Sequence, residues 1–146
     1  MLFTRIQFIG FGIALVSTLV SSDVAAETAT SFDGKWNVTL TCPPHHEDDD
    51  AKGYVHRFGA EVKDGVFRGT HGMEGAPGWH YLSGAIAPDG TALLRLDGIV
   101  NNPDYSVNNA YRGKPYSYRV WAVFEPRSGI GRRVGKRQCD FRFQHE

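Results

Sequence analysis

The sequence predicts an all-β domain in which seven or eight antiparallel strands close into an up-and-down barrel. After residue 26, apolar and polar residues alternate along most of the chain, which is the period of a strand with one buried face. Turns rich in Gly, Asp and Pro separate these segments, and helical spacing is nearly absent. Because an open sheet of this size would leave two unpaired edges, closure is favoured over a β-sandwich, which remains the alternative.

Eight segments carry the alternating pattern. In the first, Trp36 and every second residue up to Cys42 are apolar, and the residues between them are polar. The strongest segment runs from Tyr116 to Phe124, whereas the short segment that starts at Gly131 is the weakest. The predicted strands are residues 35–42, 54–62, 66–70, 79–87, 91–100, 116–124, 131–134 and 136–144.

Turn residues join these strands into hairpins. Asp64-Gly65 predicts a two-residue hairpin turn, because such turns need positive φ at both central positions. Pro88-Asp89-Gly90 predicts a second turn. Two longer segments are predicted loops, since residues 72–78 are rich in Gly and residues 101–115 show no strand period.

The first 26 residues predict an export signal that is removed. Arg5 supplies a positive charge, an apolar run follows from Ile6 to Val20, and small residues end the segment at Ala25-Ala26. The apolar run is shorter than the roughly 20 residues that a membrane-spanning helix needs. We therefore expect a single mature domain, residues 27–146, that is periplasmic or secreted and has no transmembrane segment.

The two cysteines, Cys42 and Cys139, are expected to form a disulfide. An even number of cysteines in an exported chain normally pairs, because the compartment is oxidising. Each lies on the apolar face of its predicted strand, one in the first strand and one in the last, so the bond would join the two strands at which a barrel closes. The alternative, a thiolate metal site, lacks a C-x-x-C motif or a nearby Cys-His pair.

The opening F-D-G-K-W at Phe32–Trp36, the hairpin meander and the arginine-bearing final strand resemble the calycin pattern of lipocalins and streptavidin. In that pattern the Trp of G-x-W packs against a late arginine, so the resemblance implies Arg137 or Arg142 as the partner of Trp36. The chain also resembles small secreted proteobacterial proteins that open with F-D-G-x-W and close with R-x-C-x-F-x-F, here Arg137–Phe143. The resemblance implies a fold and a location but no substrate.

Aromatic residues and histidines near the predicted loops indicate a ligand site at one rim of the barrel. Trp79, Tyr105 and Tyr111 lie on or beside the long loops, and amphipathic aromatic side chains are common in ligand sites. His71 and His80 flank the 72–78 loop and are expected at the same rim. The alternative is that the aromatic side chains only cover the core.

No catalytic residue, metal ligand or cofactor is assigned. We interpret His56, on the apolar face of its strand, as a core residue; the alternative is that it converges with His71, His80 and Glu74 around the 72–78 loop. The His- and Asp-rich residues 45–50 are interpreted as a solvated loop, because metal ligands usually converge from different elements. One alternative remains, a metal-assisted enzyme that uses His71, His80 and Glu74. There is no nucleophile motif such as G-x-S-x-G, so an enzyme is not expected.

Charge and composition point away from nucleic acid. The net charge is zero, because the basic segment 112–146 balances an acidic first half of the chain. No aromatic residues are interleaved with the arginine cluster of this basic segment, although stacking on bases would need them. We therefore predict a monomeric exported barrel that binds an unknown small molecule or an envelope protein at its loop-bearing rim. The alternative from another class is an envelope interaction factor, or a protease inhibitor that acts through residues 27–31.

Overall fold

The computed structural model describes residues 30–46 and 50–146. The predicted export signal, the first residues of the 27–31 segment and the acidic residues 47–49 lie outside the described residues. Across the described ranges, no helix is long and apolar enough to span a membrane.

Eight antiparallel strands form one closed barrel, in which each strand pairs with the next and the last pairs with the first. The prediction of an all-β up-and-down barrel is confirmed, and the sandwich alternative is wrong. The strands are β1 Gly34–Cys42, β2 Tyr54–Lys63, β3 Val66–His71, β4 His80–Ala85, β5 Thr91–Ile99, β6 Pro115–Phe124, β7 Ser128–Val134 and β8 Asp140–His145. The remaining regular structure in the described part of the chain consists of short 3₁₀ turns at Thr30–Phe32, Pro103–Tyr105 and Val107–Asn109.

Strand β7 begins three residues earlier than predicted because two glycines hide its period. Gly129 and Gly131 point into the barrel, where their missing side chains leave room for the rings of Phe124 and Phe143. A Cβ at Gly129 would lie 3.0 Å from Phe124 Cδ1, and one at Gly131 would lie 3.2 Å from Phe143 Cε2. The residues of β7 therefore alternate between the inner and the outer face of the barrel, although no apolar side chain at Gly129 or Gly131 shows this in the sequence.

The predicted hairpin turn between β2 and β3 is confirmed. Asp64 and Gly65 have φ values of 52° and 71°, as a two-residue turn of this kind requires. The carboxylate of Asp33 accepts hydrogen bonds from the backbone N–H groups of Asp64 and Gly65, at 2.9 and 3.0 Å. These bonds attach the segment before β1 to the turn.

The predicted disulfide is also confirmed. Cys42 and Cys139 are bonded, with their Cα atoms 4.2 Å apart and both side chains fully buried. The bond closes a loop that spans 97 positions, for which the chain-entropy model gives a stabilisation of about 4 to 5 kcal/mol. It lies at the end of the barrel that carries the 72–78 and 101–114 segments, which we call the open end.

The opposite end, which we call the packed end, is filled with aromatic side chains. Trp36 is completely buried there, and its ring meets Phe124 edge-on at 5.5 Å. Phe67 and Phe143 pack with Phe124 at centroid distances of 5.7 and 4.7 Å. The indole N–H of Trp36 donates a 2.9 Å hydrogen bond to the carbonyl of Phe32, so burying this ring leaves no polar group unsatisfied.

Neither arginine implied by the calycin resemblance contacts Trp36. Arg137 lies beyond Cys42 at the open end, about 20 Å along β1 from Trp36 at roughly 3.3 Å per residue. Arg142 is exposed on the outer face of β8, whereas Trp36 points inward. The ring of His145, at 4.9 Å, covers the indole instead.

Candidate functional site

The open end holds a cavity of about 360 Å³. Phe58, Leu96 and Val120 are buried on the inner faces of their strands, deeper in the barrel than lining residues such as His56 and Tyr118. The segment that follows β5 runs across the mouth, and residues 100–102, 105–107 and Ala110 of it contribute to the lining together with Ile99 at the end of β5. The predicted site at the loop-bearing rim therefore has a concave counterpart in the structure.

Three contacts hold this covering segment in place. The backbone N–H of Lys52 donates to the carbonyl of Asp104 at 2.7 Å, and the Lys52 ammonium meets the Asp104 carboxylate at 2.8 Å. The buried guanidinium of Arg137 donates at 2.6 Å to the carbonyl of Tyr105 and at 2.7 Å to that of Lys52. Hydrogen bonds from a charged donor are stronger than neutral ones, so Arg137 is a clamp between the segment and the β1–β2 connection.

A glycine makes room for the tyrosines that form one wall of the cavity. Gly98 faces Tyr116 across the β5–β6 ladder, and a Cβ at this position would lie 2.4 Å from the Tyr116 ring. Tyr116 can therefore lie flat across β5, with Tyr118 stacked at a centroid distance of 6.1 Å. Burial raises the pKa of Tyr116 and of Tyr118, so both phenols keep their protons at neutral pH and remain hydrogen-bond donors.

Arg133 is the second guanidinium of the cavity lining. Its central carbon lies 4.1 Å from the centroid of the Tyr118 ring, a cation–π contact that fixes the plane of the group. Its Nε is buried and has no hydrogen-bond partner among the residues described, and the same is true of the Tyr118 hydroxyl. Buried polar groups are normally paired, so two adjacent unsatisfied donors indicate a place for an acceptor.

Three histidines from three strands meet beside this cavity. His71 at the end of β3 faces His80 at the start of β4, and His56 of β2 completes the group. The ring centroids lie 4.3 Å apart for His56 and His71, 4.7 Å for His71 and His80, and 5.3 Å for His56 and His80. One ring nitrogen from each residue lies within 4.8 Å of the other two.

Two of the three histidines, His56 and His80, are held in their neutral form by their surroundings. Burial lowers the pKa of His80 to about 3, and the neighbouring His71 and His56 lower it further in the same direction. Burial also lowers the pKa of His56 to about 4, with His71 as the second cause. Nδ1 of His56 and Nε2 of His80 are buried without a hydrogen-bond partner in the described ranges.

The structure brings some of the predicted site residues together and not others. Tyr105 and His71 line the cavity, and His80 lies behind His71 in the cluster. Trp79 is half-buried, stacks on Tyr81 at 6.5 Å and lies outside the lining. Tyr111 is 66% exposed and also lies outside it.

Glu74, which the metal-assisted alternative combined with His71 and His80, is exposed on the 72–78 loop. Its place in the group is taken by His56. The structure therefore brings His56, His71 and His80 together, as the alternative expected, but without Glu74. Strands β2 and β3 no longer pair beyond Ala60 and Gly69, and there the ring of His71 stacks on that of His56.

Tyr54, Tyr116, Tyr118 and Arg133 were not among the predicted site residues, although all line the cavity. Tyr54, Tyr116 and Arg133 are the inward residues nearest the open end of β2, β6 and β7, and Tyr118 is the next inward residue along β6. That position is a usable signal: once the strands are assigned, the inward residues closest to the two longest loops must share one rim.

The outer surface carries an apolar patch on β5, β6 and β7. Leu93, Trp121, Val123 and Ile130 are exposed there, and Trp121 lies directly opposite Leu93 in the ladder. Nothing in the described part of the chain indicates what would cover this face. The interaction-factor alternative therefore stays a prediction, and no function is based on the patch.

Comparison with known proteins adds no assignment: no family model, no curated protein and no solved structure matches this chain. A barrel by itself does not indicate an activity, because function resides in the site and not in the fold. The function must therefore be inferred from the chemistry of the cavity.

Proposed function

We propose that this protein is a binding module for a small organic anion with an apolar body, held in the cavity at the open end of the barrel. The observation that carries the proposal is Arg133, a guanidinium in the cavity wall whose buried Nε has no hydrogen-bond partner among the described residues. In the described part of the chain, no carboxylate lies within ion-pair distance of this group. A bound carboxylate or similar anion would supply the missing acceptor.

The electrostatics of the lining favour an anion over a cation. Arg133 and Arg137 both belong to the lining, and among the described residues that line the cavity none is acidic. The Tyr118 hydroxyl, protonated at neutral pH, is a second donor beside Arg133. A cationic ligand would meet two guanidinium groups at this wall without a described counter-charge, which is unfavourable in a partly desolvated site.

The rest of the lining favours an apolar ligand body. Ile99, Val107 and Ala110 supply aliphatic surface, and the rings of Tyr54 and Tyr116 supply flat aromatic surface. The volume of about 360 Å³ lies at the small end of the range of about 300–1,000 Å³ for small-molecule sites. A medium-chain fatty acid or an aryl carboxylate fits both the size and the chemistry.

The disulfide supports the proposal that the module works outside the cytoplasm. Cys42–Cys139 is the kind of bond that persists in oxidising compartments. We therefore keep export, by the predicted signal at residues 1–26, as part of the proposed function.

The binding proposal is tested with three ligands of one chain length. Isothermal titration of the oxidised protein with decanoate, decanol and decylamine separates the charge from the apolar body. We expect decanoate to bind most tightly. Arg133→Gln should weaken decanoate binding by about 10- to 100-fold, because a hydrogen bond between charged groups is worth roughly 1.5–3 kcal/mol.

Arg119→Gln is the matched control, because Arg119 lies on the same barrel but is exposed on the outer face of β6. This variant should bind decanoate like the wild type. Equal affinity for decanol and decanoate, or equal losses in the two arginine variants, would show that Arg133 does not select an anion.

A further inference from the structure

We infer that His56, His71 and His80 bind one divalent transition-metal ion, with a further coordination position facing the cavity. The inference goes beyond the proposed anion binding and does not depend on it, since the histidines and Arg133 are different groups. It also departs from the sequence-based expectation that the chain has no metal site.

The first support is convergence. The three residues come from β2, β3 and β4, and a ring nitrogen of each lies within 4.8 Å of the other two. Metal sites need ligands that converge from separate elements, and this is the feature that the consecutive residues 45–50 lack. Each ligand position is set by a strand of a closed barrel, so the group is held by rigid structure.

The second support is the pair of unsatisfied nitrogens. His80 is only 1% exposed, and its Nε2 has no hydrogen-bond partner in the described ranges; Nδ1 of His56 is in the same state. Leaving buried polar atoms unpaired is unfavourable, because they lose their hydrogen bonds to water. A metal ion bound to lone pairs of these neutral rings would remove that penalty.

The third support is the hydrogen bond of His71. Its Nδ1 lies 3.3 Å from the carbonyl oxygen of Gly78, so the proton belongs on Nδ1 and the lone pair on Nε2. Metal-binding histidines usually donate their second N–H to such a carbonyl, which orients the ring. His71 therefore already has the hydrogen bond that a ligand histidine needs.

The metal-free geometry needs a small adjustment. Bonds of about 2.0–2.1 Å at tetrahedral angles place two ligand nitrogens about 3.3 Å apart. The nitrogens must therefore approach each other by as much as about 1.5 Å, and the rings must rotate out of a stack whose planes lie within 12° of parallel. The last torsion of a histidine has a broad energy minimum, which allows this rotation.

The ligand set selects the class of metal. Three imidazoles without thiolate suit Zn²⁺, Cu²⁺ or Ni²⁺, whereas Ca²⁺ and Mg²⁺ prefer oxygen ligands. His56 and His71 line the cavity and His80 lies behind them, so the unfilled coordination position faces the cavity. Three protein ligands and an open position are typical of zinc sites that also bind a small molecule.

The test is a titration of untagged, metal-free, oxidised protein with ZnCl₂ by calorimetry, and with CoCl₂ by visible absorption. We expect one ion per chain and the intense d–d bands of tetrahedral cobalt. His71→Gln should weaken zinc binding by at least about tenfold, because it removes one of three ligands. His71 is half-buried, like His56, whereas His80 is buried, so this variant demands less of the fold than a substitution at His80.

The matched control is the double variant His45→Gln/His46→Gln, which removes the two histidines that directly precede the acidic residues 47–50. Its zinc affinity should equal that of the wild type. Loss of binding in this control but not in His71→Gln would place the metal in the 45–50 loop and overturn the inference. Absence of zinc and cobalt binding to the wild type would also overturn it.

A measurement on the wild type removes the risk that a variant does not fold. Nitrogen-15 NMR of the histidine rings should show zinc-dependent shifts for His56, His71 and His80, with Nδ1 of His71 still protonated. Shifts confined to other histidines would refute the site. The decanoate titration is read separately, so a failure of metal binding and a failure of anion binding are distinguishable.

Discussion

At the packed end of the barrel the inward side chains are apolar, and many are aromatic, whereas at the open end the same strands carry tyrosines, histidines and arginines. Along β2, for example, Val62 is buried at the packed end and His56 lies at the open end. The Trp36 indole, a polar group at the packed end, has a hydrogen-bond acceptor. At the open end, buried nitrogens of His56, His80 and Arg133 lack a partner among the described residues.

The two ends therefore differ in role: the packed end supplies stability, and the open end carries the candidate site. Burial of close-packed apolar surface is the main source of folding free energy, and it is concentrated at the packed end. Unsatisfied buried polar groups reduce stability and persist where a site needs them. The two ends should therefore respond in opposite ways to substitution.

The largest effect on stability is expected from truncating a buried side chain at the packed end. Phe143→Ala removes a buried ring that contacts Phe67 and Phe124, and it should lower the free energy of unfolding by about 3–5 kcal/mol. Urea denaturation of the oxidised protein measures this loss. Tyr111→Ala, at an exposed position of the open end, should change stability by less than about 0.5 kcal/mol. Similar losses in both variants would contradict the division between the ends.

A smaller loss of stability is expected when the pH is lowered, and it is caused by the histidines at the open end. The folded pKa values of His56 and His80, about 4 and about 3, lie below the unfolded value of 6.5. The unfolded chain therefore binds more protons between pH 6.5 and 4, and stability falls as the pH falls through this window. For each histidine the loss between pH 7 and pH 5 is on the order of 1–2 kcal/mol.

Urea midpoints of the metal-free protein at pH 7 and pH 5 measure this loss. The carboxyl groups with shifted pKa values, Asp89 and Asp97, have values below the usual 3.8 and do not titrate in that window. A stability that is flat from pH 7 to pH 5 would show that these histidines are not buried in their neutral form.

The smallest effect has the opposite sign. Tyr118→Phe removes a buried hydroxyl that has no partner in the described part of the chain, so stability should stay equal or rise by up to about 1 kcal/mol. If the hydroxyl donates to the bound anion, the same variant should bind decanoate more weakly. Denaturation and calorimetry on one preparation measure both. A clear loss of stability would mean that this hydroxyl is satisfied in solution.

Much of the fold was predictable because it depends on local pattern and on covalent chemistry. The alternation from Trp36 to Cys42 predicts β1, and the positive φ required by Asp64-Gly65 predicts the turn after β2. The pairing of Cys42 with Cys139 was predicted from an even cysteine count in a chain with a predicted export signal. The start of β7 was missed because Gly129 and Gly131 have no side chain to show which face is buried.

Less of the candidate site was predictable, because its residues meet only through the closure of the barrel. His71 and His80 flank one loop and were placed together correctly, whereas His56, 15 positions before His71 in the chain, was assigned to the core. Nothing local to Arg133 distinguishes it from its exposed neighbour Arg132 except inward register. The sequence placed the aromatics of the loops at the mouth, but the structure brings Tyr105 and not Tyr111 to the cavity.

The sequence by itself determined the class of the fold, the strand order and the disulfide, because these follow from a period of two, from turn chemistry and from the two cysteines. The tertiary structure alone decided which side chains share the open end. Closing the sheet brings distant strands together, and a shift of one residue in register would move Arg133 or His56 to the outer face. Register across a closed barrel is a long-range property, so the cavity and the histidine cluster are visible only after the strands have paired.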